Sequence, residues 1–106
     1  MDTAVTVARL YLSESDHGRR KNLLRDIFAI LQDQHRVKGT TVFRGIAGFG
    51  DTGEVHAADL LRLTVDLPLV VEFFDTQQAV EAVLPLLREL LPDGHVITWS
   101  ALQHQA

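Results

Sequence analysis

Residues 41–56 read TVFRGIAGFGDTGEVH. Four glycines, Gly45, Gly48, Gly50 and Gly53, fall within nine positions, directly after Arg44 and ahead of His56. Glycine lets a backbone approach a ligand closely, and successive amides in a glycine-flanked turn can form an anion-binding nest. Arg44 would add positive charge to such a nest. The chemistry this implies is the holding of a phosphate or another small anion. A plain hairpin loop whose glycines take positive φ accounts for the same residues, and the sequence leaves the two readings open.

GFGDTG at 48–53 also spells G-x-G-x-x-G, the dinucleotide fingerprint. That fingerprint works when it joins the first strand of a βαβ unit to a helix whose N-terminus receives a pyrophosphate. Here it follows the second strand, and no clear helix opens at residue 51. Glu72 lies near the spacing of the ribose-binding acid but falls mid-strand. The chain is also too short for a doubly wound sheet, so a Rossmann reading is set aside.

Other residues invite weaker chemistry. His17, His35, His56, His95 and His104 raise a metal hypothesis, yet no pair has helical ligand spacing and there is no cysteine. Arg19, Arg20, Lys21 and Arg25 open the first helix with cations that oppose its dipole, which fits either a solvated face or an anion or partner contact. Glu14, Ser15 and Asp16 lack a nucleophile–base arrangement and read more simply as turn and cap residues.

The 106 residues fit one domain with a real core. Ten basic and fourteen acidic residues give a net charge of −4, which argues against non-specific nucleic-acid binding. Without cysteine there are no disulfides. No stretch approaches the roughly 20 apolar residues of a membrane span, and the first residues lack a signal-peptide pattern. The expectation is a cytoplasmic protein with no direct membrane insertion.

The elements that must position these residues alternate. AVTVARLYL at 4–12 predicts an interior strand covered on both sides, and SESDHG at 13–18 a turn. Residues 19–36 predict a helix with Leu23, Leu24, Ile27, Phe28 and Leu31 on one stripe. Residues 40–47 predict a second strand ending in the glycine loop, whereas 54–66 is ambiguous between a short helix and an extended arm. LPLVVEFFD at 67–75 is the clearest strand, with Pro68 tolerable near its start. Asp75 and Gln78 predict an N-cap pair for a helix over 76–91, with a kink at Pro85. Residues 95–102 predict the last strand.

The order β-α-β-β-α-β points to an α+β, ferredoxin-like sandwich with an antiparallel sheet and helices on one face. The other sheet face would be made apolar by Phe43, Phe74 and Trp99 and covered by subunit association.

TVFRGIAGFG, then His56, then DLP at 66–68 with Glu72 and Asp75, together with LYLSESD at 10–16, resembles the PII-like bacterial and archaeal family called domain of unknown function one-ninety. The resemblance spans nearly the whole chain. It implies a single PII-like domain over 1–106, related in fold to PII signalling proteins and cation-tolerance trimers, and not an enzyme. It further implies a homotrimer that binds an adenine nucleotide in its inter-subunit clefts and signals through a T-loop-like segment at 51–66.

PII proteins carry G-F-G at the base of that loop, matched by Gly48-Phe49-Gly50. They also carry a G-D-G-K turn before the last strand, where this chain has Pro92-Asp93-Gly94-His95. His95 replaces the phosphate-meeting lysine, and the tail LQHQA lacks the PII arginine pair. The implied effector is therefore less charged than ATP, such as ADP, AMP or a cyclic nucleotide. The implied binding set is Arg44, Gly45, Gly48, Phe49, Gly50, His56, Gly94 and His95. Members of the family are often encoded beside fluoride exporters, which implies a protein partner such as a membrane transporter. The alternative is a metal-responsive or ion-tolerance trimer, with histidines as ligands and His56 first among them.

Overall fold

The computed structural model describes residues 2–13, 23–34, 37–49, 55–57, 68–91 and 94–105. Strand β1 spans Thr3–Ser13 and is followed by helix α1, Leu23–Phe28, which continues as a π-helical segment over Ala29–Gln34. Then come β2 (Gly39–Arg44), β3 (Ala47–Phe49), β4 (Val55–Ala57), β5 (Pro68–Asp75), α2 (Gln77–Arg88) and β6 (Val96–Gln103).

Four strands form one antiparallel sheet in the order β2-β5-β1-β6. Two helical crossovers over an antiparallel sheet with this order make the ferredoxin-like α+β sandwich. Strands β3 and β4 form a separate two-stranded ribbon.

Period-two alternation decides which face is core. In β1, Ala8, Leu10 and Leu12 are buried, and in β5, Leu69, Val71 and Phe73 are buried. These pack with Leu23, Ile27 and Leu31 of the first helical segment and Val80, Val83 and Leu87 of α2. Leucines and valines three and four residues apart put one stripe of each helix on the sheet. Each buried side chain of this size contributes about 1.5–3 kcal/mol from apolar burial.

Several sequence-based expectations are corrected here. Helices cover one face of β1 only, and on the other Tyr11 is exposed, although Val5 is buried. Phe28 sits at the margin of its helix's stripe and is 37% exposed.

The second strand does not run through to residue 47. It breaks at Gly45–Ile46 into β2 and β3. The Gly45 amide donates to the Pro68 carbonyl at 2.7 Å, and a Cβ on Gly45 would lie 2.5 Å from Pro68 Cγ. Only glycine allows the chain to leave the sheet edge this close to the start of β5. Within 54–66, the described residues 55–57 are extended.

Helix α2 is capped by Thr76, whose side chain accepts from the Ala79 amide at 3.1 Å. Asp75 does not cap it. Its Oδ1 accepts from the Thr76 amide at 2.7 Å and its Oδ2 from the Lys38 amide at 3.1 Å, tying the approach to β2 to the approach to α2. Pro85 lies inside α2 without ending it. Both Pro85 and Glu81, whose carbonyl loses its partner, are exposed, so water can take up that carbonyl.

Candidate functional site

The expected binding residues occupy one end of the sheet, in two groups. Arg44 closes β2, opposite Leu69 of β5, and Leu69 lies opposite Leu12 of β1. Gly45 extends this pairing by its bond to Pro68. The chain then enters the β3–β4 ribbon, where Gly48 pairs with His56 and Phe49 with Val55. Gly48 and Phe49 thus have extended, paired backbone, which is not the conformation of an anion nest. Gly50, and with it most of 51–66, lies outside the described residues.

The second group opens β6. Gly94 has φ +82°, and among the described glycines it alone has positive φ. This left-handed turn delivers His95 to the end of β1. The Tyr11 amide donates to the His95 carbonyl at 2.8 Å, and His95 Nδ1 lies 2.7 Å from the Tyr11 carbonyl oxygen. A carbonyl only accepts, so Nδ1 carries a proton and Nε2 is the ring nitrogen left for a ligand.

Arg44 and His95 therefore stand at the same end of the sheet but on its two opposite edges, β2 and β6. Three inter-strand spacings separate them, about 14 Å. Register also places them on opposite faces: Arg44 shares the face of Val42, which packs on the core, whereas His95 shares that of Tyr11. Within one protomer these two side chains do not converge.

The face away from the helices holds a cluster of which the sequence reading pointed to Glu72 and Trp99 but not to Arg9. Arg9 and Glu72 are direct cross-strand partners, with Arg9 Nε 2.7 Å from Glu72 Oε1. The Arg9 guanidinium lies over the Trp99 ring, 5.4 Å from its centroid. Hydrogen bonds with the Glu72 side chain, and then with Tyr11, raise the Arg9 pKa further above its ordinary value. The signal in the sequence was a charge inside each of two apolar strands: Arg9 in AVTVARLYL, and Glu72, three residues ahead of Asp75, in LPLVVEFFD.

Among the described residues, no three His, Cys, Asp or Glu side chains are grouped to hold a metal ion, and His104 Nδ1 lies 3.0 Å from Asp2 Oδ2. No described helix is long and apolar enough to cross a membrane.

A ferredoxin-like sheet with both helices on one face and a β-ribbon rising from the end of β2 defines the PII-like class of proteins. The chain belongs to the DUF190 family, described as an uncharacterised ACR, whose model matches residues 5–102. A UPF0166 protein of Methanocaldococcus jannaschii is 33% identical over 91 residues, covering 86% of this chain and 82% of that protein. A UPF0166 protein of Aquifex aeolicus is 32% identical over 76 residues, covering 72% and 71%.

Among solved structures, the fold is similar to CPII, a nitrogen regulatory PII-like protein from Thiomonas intermedia K12 bound to ADP, AMP and bicarbonate. The TM-score is 0.67 at 15% identity, over 99% of this chain and 92% of that one. It is also similar to the divalent ion tolerance protein CutA1 from Ehrlichia chaffeensis, with TM-score 0.55 and 12% identity over 96% and 83%. At these identities the likeness is one of fold.

Proposed function

We propose that this chain is a PII-like regulatory protein that assembles as a homotrimer, binds an adenine nucleotide such as ADP or AMP between subunits, and acts by binding rather than turnover. The observation that carries this reading is the placement of Arg44 and His95 at one end of the sheet on opposite edges. A ring of subunits that brings the β2 edge of one against the β6 edge of the next would join the two groups in one cleft. Arg44 would supply charge to a phosphate in a chain of net charge −4, and His95 Nε2 would face the ligand across the cleft. Gly45, Gly48, Phe49, Gly50 and His56 would shape the cleft's β2 side, and Gly94 its β6 side.

The nucleotide-bound state of the similarly folded CPII supports the ligand class. The segment 51–66 would carry the response to a protein partner, such as a membrane transporter, through ligand-dependent order.

Thermal unfolding at fixed protein concentration tests the proposal, with a panel of ATP, ADP, AMP, cyclic AMP, cyclic di-AMP, bicarbonate, fluoride and divalent metals. A ligand at about 100 times its Kd adds roughly 2.7 kcal/mol, a rise of several degrees for a domain of this size. A nucleotide-specific rise that Arg44→Ala abolishes is the expected result. A rise that persists unchanged in Arg44→Ala removes that residue from the site. A rise with metals alone, lost in His56→Ala, would favour the ion-tolerance reading that the likeness to CutA1 supports.

A further inference from the structure

On the sheet face turned away from the helices, register places the ionisable side chains Arg9 and Glu72, and they pair with each other. Around them lie apolar groups with much surface in water: Phe43 at 49% exposure, Ile97 at 50% and Trp99 at 41%. The side chains of the pair itself are 39% and 28% exposed. An isolated sheet face of this kind leaves large apolar area hydrated, which marks an interaction surface.

The charge pattern says what fits. The pair is neutral within one protomer, so a charged partner surface would face no counter-ion here, whereas a partner with the same neutral, apolar surface loses nothing electrostatically. A second copy of this chain is such a partner. The pair is also centrally placed: β1 and β5 are the two inner strands, and Trp99 of β6 lies diagonal to Arg9 across the sheet, close enough for cation–π contact.

We propose that the Arg9–Glu72 pair, with Arg9 stacked on Trp99, is the polar element that permits and registers the seating of a second copy of this chain on this sheet face. The proposal rests on the homotrimer reading above and deepens it. Seating a copy dehydrates both charges together, which is tolerable because each keeps its partner. Losing one partner would strand the other charge in the interface, whereas replacing both by apolar residues would not. The pair is thus a device of specificity more than of affinity.

The test is native mass spectrometry and sedimentation over a concentration series on wild type, Glu72→Leu and the double variant Arg9→Met/Glu72→Leu. Trp99 is the sole tryptophan, so its emission wavelength reports directly on burial of this face, and circular dichroism checks the fold of each variant. The expected result is assembly of the wild type with blue-shifted emission and a subunit dissociation constant raised about a hundredfold or more in Glu72→Leu. The double variant should recover to within about tenfold of wild type.

Equal assembly of wild type and Glu72→Leu would overturn the role of the pair while leaving the trimer standing. A wild type that is monomeric throughout would remove the trimer reading itself, and this inference with it. Should Glu72→Leu fail to fold, Arg9→Lys decides. It keeps the charge but loses the guanidinium fork and its stacking, so about tenfold weaker assembly is expected, and unchanged assembly overturns the proposal.

Discussion

His95 and Tyr11 hold each other twice: a backbone hydrogen bond of 2.8 Å runs one way, and the imidazole Nδ1 donates to the Tyr11 carbonyl at 2.7 Å the other. The residue that replaces the expected phosphate-binding lysine is thereby pinned to the end of β1, with one ring nitrogen committed. A lysine here would keep the backbone bond but place its charge on a flexible four-carbon stem, so histidine trades reach for fixed direction.

Replacing His95 with Ala removes the ring bond and leaves the backbone bond in place. The expected cost is about 1 kcal/mol of stability, read as a lower urea midpoint with an unchanged slope. Under the proposed function, nucleotide affinity should fall in the same variant by more than stability does, since the proposed Nε2 contact goes with the ring.

Gly45→Ala meets a rigid neighbour. The added Cβ would stand 2.5 Å from Pro68 Cγ, and a proline ring cannot swing aside. Overpacking of this kind costs about 1–3 kcal/mol. The check is a fall in Tm of several degrees, accompanied by faster amide exchange at Gly45, whose bond to the Pro68 carbonyl would lengthen.

Gly94 differs, because nothing lies within 4 Å of its would-be side chain and the constraint is φ +82° alone. Gly94→Ala should therefore cost about 1 kcal/mol of backbone strain. Gly94→Asn, which tolerates left-handed backbone better, should cost less. Equal losses from the two substitutions in a denaturant titration would show that something other than φ selects glycine here.

Thr76→Ala should destabilise by about 1 kcal/mol through loss of the bond to the Ala79 amide. Thr76→Ser should recover most of it. Asp75→Asn keeps an acceptor for the Thr76 amide and is expected to cost less than Thr76→Ala, which separates the two residues' roles by thermal melts.

The apolar, β-branched runs of AVTVARLYL and LPLVVEFFD and the leucine spacing in both helices were enough to read the four-stranded sandwich, because composition and helical period are local properties of the chain. The combination of TVFRGIAGFG, His56, DLP at 66–68, Glu72, Asp75 and LYLSESD led to the family whose model matches residues 5–102. The break at Gly45–Ile46 was not legible, since it depends on Pro68, which is 23 residues on in the sequence and adjacent only after folding. The cap was misplaced by one residue because Asp75 and Thr76 both suit the role, and the contact of Asp75 with Lys38 decides between them. Glu72 read as a mid-strand acid, and the sequence reading did not single out Arg9. Their pairing is a matter of strand order and register, which neither segment contains.

The two opposed edges of the sheet have one more consequence. The proposed site, divided between Arg44 on one edge and His95 on the other, would be heterologous: the surface a subunit offers is not the surface it receives. In a closed ring, the number of complete clefts equals the number of chains, and a monomer has none. Mixing Arg44→Ala subunits with His95→Ala subunits should then restore some intact clefts, because a junction whose two defects fall on the unused edges pairs a wild-type Arg44 with a wild-type His95. Two inactive populations would complement each other on subunit exchange, and ligand would in turn oppose dissociation of the ring that creates its site.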